Sequence, residues 1–273
     1  MKIAFQMDPI ELVDINADST FRLAEEAQIR GHEIYVYSPN DLTFNRGKIA
    51  AKVRSISLKR KIGDHVNFGT EEMLALGEFD IIWLRQDPPF DMGYITNTHL
   101  LDLVAQETLI VNNPFWVRNL PEKLLVLEFP DLIPDTLISR DLDEIKKFKS
   151  EFNDIIIKPL YGNGGAGIFR LREDDKNLTS LHELFSNMSS EPLIAQAFLP
   201  DVENGDKRII LVDGEPVGAI NRVPKVGEVR SNMHVGGIAE AAKLSQRDRE
   251  ICSIIGPTLK SKGQVFVGID VIG

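Results

Sequence analysis

The run from Ile155 to Leu171, IIIKPLYGNGGAGIFRL, limits the possible folds more than any other stretch. An apolar run stops at a cluster of near-naked residues and an alternating run resumes beyond it, the pattern of strand, loop, strand. Gly162, Gly164 and Gly167 formally satisfy G-x-G-x-x-G. A dinucleotide-binding turn, however, must open a helix whose N-terminus faces the pyrophosphate, and Ile168-Phe-Arg-Leu171 alternates like a strand instead. Gly162, Asn163, Gly164, Gly165, Ala166 and Gly167 leave backbone N–H groups bare, suited to closing over phosphate oxygens. The cation precedes the glycines: Lys158 sits on the incoming strand, as in kinases whose glycine flap covers ATP while a strand lysine pairs with its phosphates. The competing reading is an ordinary glycine hairpin with a solvated lysine.

The 273 residues suffice for one large or two to three small domains with a full core. A formal net charge of -10 argues against an extended nucleic-acid footprint, so any basic site must be a local cluster. Cys252 is the single cysteine, which excludes a disulfide framework and a thiolate metal site. The five histidines lack metal-ligand spacing, and only His234 falls among candidate site residues. The apolar start Met1–Met7 is halted by Asp8-Pro9, too short for a signal peptide or a membrane span, and the expectation is a cytoplasmic protein.

Strands at Lys2–Met7 and His32–Tyr37 flank a helix from Ser19 to Arg30, with Ser19 as its cap, a βαβ unit that builds a parallel sheet. Phe79–Arg85 and Thr108–Asn112 add strands around a helix from about Tyr94 to Gln106, so an open α/β domain fills residues 1–118. Lys48–Leu58 alternates as an antiparallel insertion that its charge keeps solvated. Ligands in such sheets bind beyond the carboxyl ends of the strands, which makes Arg85 a candidate carboxylate clamp, with a structural ion pair as the competing reading; Asp87 and Asp91 could pair for acid–base work, but their proline-rich surroundings favour turn capping. An α+β piece over 119–192 carries Lys123 and the glycine loop and reads as a lid with little core of its own. Leu193–Phe198 reads as a strand entering a last domain, 193–273, through a hinge at Leu199-Pro200. There the hairpin Asp206–Val212, Asp213-Gly214, Glu215–Val223 precedes a loop 224–237, a helix capped by Ser245 and a final strand from Gln264. Both glycine-rich loops, 162–167 and 224–237, are expected to be mobile without ligand.

This ordered set resembles the ATP-grasp superfamily and, within it, the bacterial glutathione synthetases. The likeness runs from Met7-Asp-Pro9 to Gly268–Gly273 and includes Arg85-x-Asp-Pro-Pro-Phe-Asp91, Asn119-x-Pro-Glu-Lys-Leu124, Ile157–Ala166, Gly205-Asp-Lys-Arg208, Val212–Pro216, Arg222-x-Pro, Glu228-x-Arg-x-Asn232 and Ile255–Lys260. It implies ATP-dependent ligation of glycine to γ-glutamylcysteine through an acyl phosphate. Lys123 and Lys158 would hold the phosphates, and Gln196, Ala197, Phe198 and Leu199 the adenine, with packing from Ile157 and Phe198. Asp206 would contact the ribose or an adjacent lysine. Arg208, Arg222 and Arg230 would face the acyl phosphate and substrate carboxylates, where guanidinium forks suit oxyanions, and Asn232 would orient them. Asn16, Ser19 and Arg85 would bind substrate, and Asp270 would hold Mg²⁺ or Mn²⁺. A homotetramer without nucleic-acid or membrane partners also follows from the resemblance. In the family the Asp270 strand is followed by another bearing a glutamate and an asparagine and by a terminal helix, so the ATP-grasp domain is expected to be incomplete at Gly273.

Another carboxylate–amine ligase, of D-alanine–D-alanine or peptide-tailoring type, would share the lysines and loop and differ near Asn16, Ser19 and Arg85. A nucleotide-binding module without catalysis would lack substrate-dependent ADP release, and a nicotinamide oxidoreductase lacks its helix after the glycines. Lys158→Met keeps the apolar stem and deletes the charge. It is expected to leave far-UV circular dichroism intact while ATP turnover falls by about two orders of magnitude or more.

Overall fold

The computed structural model describes residues 1–224 and 238–273. The chain forms two compact units, Met1–Asn119 with Ser261–Val265, and Leu120–Lys260 with Phe266–Gly273.

In the first unit β1 (Lys2–Met7) leads to α1 (Ser19–Ile29), β2 (Glu33–Tyr37), β3 (Leu42–Asn45), β4 (Lys48–Leu58), β5 (Val66–Ala75), β6 (Ile81–Arg85), α2 (Met92–Asp102), β7 (Leu109–Val111) and α3 (Pro114–Asn119). β2, β1, β6 and β7 lie parallel in that order. Successive side chains of a strand point to opposite faces, and both faces of β1 are buried. Ile3, Phe5 and Met7 pack with Phe21 and Ala24 of α1, while Ala4 packs with Ile82, Leu84 and Leu101. Asp18, not Ser19, caps α1, accepting from the Phe21 N–H at 2.6 Å. Gly31 ends the helix at φ +79°.

β4 is not a solvated insertion. It pairs antiparallel with β2, β3 and β5. Its charged residues alternate with Ile49, Ala51 and Val53 on one core face, and Ile56 and Leu58 join the other. The buried side changes between Val53 and Ile56, where the pairing with β5 shifts register.

The second unit opens with α4 (Glu122–Leu125), β8 (Thr136–Ser139), α5 (Leu142–Phe152), β9 (Ile155–Pro159), β10 (Phe169–Leu171), α6 (Leu178–Met188) and β11 (Leu193–Ala197). The four strands form one antiparallel sheet in the order β10-β9-β11-β8. β11 is therefore an inner strand of this sheet, and the break expected at 192/193 would part it from its neighbours β8 and β9. Nor is the piece short of core. Ile145, Ile155, Ile157, Leu171, Leu178, Phe185, Leu193 and Ala195 make a buried cluster between one sheet face and α5 and α6.

A second four-stranded sheet combines β12 (Asp206–Val212), β13 (Glu215–Val223), β14 (Ile238–Ala242) and, after α7 (Gln246–Ser261), β15 (Phe266–Val271), in the order β14-β13-β12-β15. The turn Asp213-Gly214 has positive φ at both residues, 50° and 83°, as a tight hairpin requires. Ser245 caps α7 reciprocally: Asp248 N–H donates to Ser245 Oγ at 3.1 Å, and Ser245 N–H to Asp248 Oδ2 at 2.7 Å. Buried Cys252 packs with Ile209, Leu211 and Leu259, as a small core residue.

Gly214 and Gly256 are in backbone contact, and a Cβ on Gly256 would fall 2.3 Å from the Gly214 carbonyl oxygen. Neither backbone can give way without moving the hairpin or α7. Gly256→Ala is expected to cost about 1–3 kcal/mol as an overpacking substitution. Gly218→Ala, whose Cβ meets nothing within 4 Å, should be near neutral. Thermal unfolding of the two variants checks this.

Candidate active site

Lys158 leaves β9 on the face opposite the helix-covered core. Directly across the ladders stand Ile194 and Ile138 in one row and Arg170, Ile156, Gln196 and Thr136 in the next. Ile157, expected to pack against a base, points the other way and is 1% exposed within the core. The period of two puts Ile156 on the open face in its place.

The ammonium of Lys158 is unsettled in this environment. Burial disfavours its charge, the Lys123 charge adds repulsion, and Glu122 and Asp270 compensate only partly, so its pKa is pushed down to about 8. Burial also lowers Lys123, whose Nζ donates to the carbonyls of Pro159, at 2.8 Å, and Gly162. One of its three N–H groups is left over from those bonds. α4 is thus tied to the base of the glycine loop, where Gly164, Gly165 and Gly167 have φ of 62°, 82° and 70°, a region that disfavours side chains. Asn163 and Ala166 are exposed and Gly162 half-buried.

β11 ends at Ala197 and a 3₁₀ turn begins at Pro200. The Ala197 N–H donates to Asp135 O and the Phe198 N–H to Asp154 O, each at 3.0 Å. Gln196 Nε2 donates to Thr136 Oγ1 at 2.9 Å, and Leu199 O accepts from Val202 N–H at 3.2 Å. Phe198 carries the Arg170 guanidinium over its ring at 3.5 Å.

Asp270 on β15 faces Arg208 on β12. Arg208 Nε and Nη2 donate to its two oxygens at 2.7 Å each, and Arg222 Nη2 reaches Oδ2 at 2.8 Å. Burial works to raise the Asp270 pKa, but the hydrogen bonds and charges of both arginines outweigh it and hold the carboxyl below its ordinary range. Arg222 departs from expectation. It is 3% exposed, with Nε and Nη2 on the Asp206 oxygens at 2.6 and 2.7 Å. A guanidinium so enclosed braces both Asp206 and Asp270. Asp206 correspondingly spends both oxygens on Arg222, and the neighbouring Lys207 pairs with Asp248. Arg230, Asn232 and His234 lie outside the described residues.

In the first unit Arg85 Nε donates to Thr20 Oγ1 at 2.9 Å and Nη2 to Ser19 Oγ at 3.0 Å. Burial lowers its pKa, with the Asp18 and Asp87 charges opposing. Ser19 thus orients Arg85 instead of capping α1, and Thr20 was not singled out in the sequence because a buried hydroxyl one residue inside a helix carries no pattern. Asn16 is exposed, its N–H on Asp14 Oδ1 at 3.0 Å. Asp91 caps α2, accepting from Tyr94 N–H at 2.9 Å. His65 is 5% exposed and bonded to Ile10 O at 2.7 Å, a core histidine.

A lysine on a strand before a glycine loop, a second lysine at the loop's base and a carboxylate flanked by arginines are the apparatus of ATP-dependent carboxyl activation. Comparison with known proteins gives the same class. A D-cycloserine synthetase shares the fold with a TM-score of 0.68 at 16% identity, over 99% of this chain and 86% of that one. The ATP-grasp RimK domain protein of Sphaerobacter thermophilus gives 0.65 at 15%, over 100% and 86%. Residues 1–118 match the prokaryotic glutathione synthetase N-terminal domain and residues 122–273 the prokaryotic glutathione synthetase ATP-grasp domain. The glutathione synthetase of Brucella melitensis biotype 1 is 56% identical over all of this chain and 88% of its own length. That of Mesorhizobium japonicum is 55% identical over 100% and 87%. The chain belongs to the prokaryotic glutathione synthetase family and is an ATP-dependent carbon–nitrogen ligase with an N-terminal α/β domain and an ATP-grasp domain. Among the described residues no helix is long and apolar enough to cross a membrane.

Phosphate oxygens beside Lys158 would favour its charged form, so nucleotide binding there is expected to raise a pKa that starts at about 8. Binding above pH 8 must then take up a proton, and affinity falls as pH rises, by at most about tenfold per unit. Calorimetry in buffers of different ionisation enthalpy should show this uptake at pH 9 and little of it at pH 7. Lys158→Arg, charged throughout, should remove the difference.

Proposed function

We propose that this chain joins the cysteinyl carboxylate of γ-glutamylcysteine to the amine of glycine. A carboxylate oxygen attacks the γ-phosphorus of ATP and ADP leaves. The glycine nitrogen then attacks the acyl carbon, loses a proton, and phosphate departs with the C–O bond. Phosphoryl transfer of this kind needs placement and charge neutralisation more than a side-chain nucleophile. The observation that carries the reading is the match of residues 1–118 and 122–273 to the two prokaryotic glutathione synthetase domains, with Lys158 standing on β9 directly before the glycine loop.

Lys158 and Lys123 hold the phosphates from two sides under the 162–167 loop, and the backbone at Gln196–Leu199 reads the base. Arg208 and Arg230 face the acyl phosphate, Asn232 orients it, and Arg222 with Asp206 positions Asp270. Arg85, held by Ser19 and Thr20, takes a substrate carboxylate, with Asn16 beside it. Magnesium, or manganese, fits Asp270 as one ionised carboxylate near Lys158, since these ions ordinarily bind one or two carboxylates plus phosphate oxygens and water. No cluster of three His, Cys, Asp or Glu exists among the described residues. When bound, the ion neutralises phosphate charge. A cytoplasmic homotetramer, acting on small molecules and on neither nucleic acid nor membrane, completes the proposal.

ADP release should require γ-glutamylcysteine and glycine together with ATP and magnesium. Omitting either substrate in turn should reduce steady-state turnover to background. Equal ADP release without either one would sink the ligase assignment, and D-alanine replacing both with full activity would redirect it.

A further inference from the structure

Phe198 is gripped twice. Its N–H donates to the Asp154 carbonyl at 3.0 Å, and the side chain of that same Asp154 holds the guanidinium that lies on its ring. Arg170 Nε donates to Asp154 Oδ1 at 3.0 Å and Nη2 to Oδ2 at 2.6 Å, a bidentate fork, and its central carbon stands 3.5 Å from the Phe198 ring centroid. Fork and stack together fix the plane of the guanidinium and hence that of the ring. Arg170 also heads the cross-sheet row Arg170–Ile156–Gln196–Thr136, next to the Lys158 row. Two residues along a strand separate those rows, about 6.6 Å. The phosphate-facing end of β9 and the hinge end therefore lie at a separation that a nucleotide bridges.

We propose that Arg170, oriented by Asp154, is a positioning residue that fixes the Phe198 hinge as a rigid edge for the purine and so sets the preference for adenine over guanine nucleotides. The inference rests on the reading that the base lies at Gln196–Leu199. The chemistry is directional. A backbone carbonyl accepts from the adenine amino group and an adjacent N–H donates to the ring nitrogen beside it, whereas guanine presents an oxygen and an N–H at those positions. Discrimination then depends on how firmly the hinge backbone is held, because a mobile edge can turn to satisfy either base. Arg170 itself need not touch the nucleotide.

The test is steady-state kinetics on the full chain with ATP and with GTP, for Arg170→Met, Asp154→Asn, Phe198→Leu and Phe198→Tyr, with thermal unfolding alongside. Arg170→Met is expected to raise the KM for ATP about tenfold with kcat nearly unchanged, and to reduce the ATP-over-GTP ratio of kcat/KM by a similar factor. Phe198→Tyr, which keeps a ring beneath the guanidinium, should retain the preference, and Phe198→Leu should lose it. Should Arg170→Met not fold, Asp154→Asn carries the same readouts. If Phe198→Leu raises the KM for ATP while the Arg170 and Asp154 variants lower only the unfolding temperature, the clamp is refuted and the hinge stands. If Phe198→Leu leaves the KM for ATP unchanged, the base does not sit at the hinge and both readings fall.

Discussion

Two half-buried ammonium groups, Lys123 and Lys158, meet beside the glycine loop of the second unit. Such a pair is unfavourable in the ligand-free state, as the depressed Lys158 shows. The chain moderates it by turning Lys123 onto loop carbonyls and by setting Glu122 and Asp270 within electrostatic range. The glycine loop takes its position from that compromise, because Pro159 and Gly162 are the acceptors that hold Lys123. Anion recognition and loop placement thus draw on one set of contacts.

The acidic side has a parallel logic. Asp206, Arg222, Asp270 and Arg208 alternate in sign across neighbouring strands β13, β12 and β15. Each carboxylate has a fork against it, so none of the four is a buried, unpaired charge. Arg222, innermost, is fixed by two partners; Arg208, outermost, by one. The outer arginine is the more exposed of the two, and the inner one is nearly enclosed.

Much of this could be read from residue order. Alternation ending at glycines located β9 and β10, and Asp213-Gly214 between apolar runs located the hairpin of β12 and β13. What failed depended on which face a residue takes or which strand it joins. Ile157 and Ile156 are chemically alike, and only the helices covering one side of the sheet separate them. Arg222 and Arg208 look equivalent in sequence, yet one is swallowed between two carboxylates. β11 was assigned to the wrong piece because strand partnership is a long-range property, and the proline after it resembled a boundary more than the strand resembled an inner neighbour. The Asp154–Arg170–Phe198 stack left no trace, since its members are 16 and 28 residues apart in order of the chain.

The order β10-β9-β11-β8 sets the entering strand, β8, beside the departing strand, β11, with the glycine loop across the sheet on β9 and β10. Both chain connections of the sheet thus leave from one side of it. Neighbouring strands are about 4.8 Å apart, so β9 and β10 stand on a lever arm of roughly 10–14 Å from β8. A swing of only about 10° about the connected side carries the loop through roughly 2 Å, the difference between a hydrogen bond to phosphate and none. Strand order alone makes this sheet a mechanical amplifier, with its small-displacement end at the chain connections and its large-displacement end at the glycine loop.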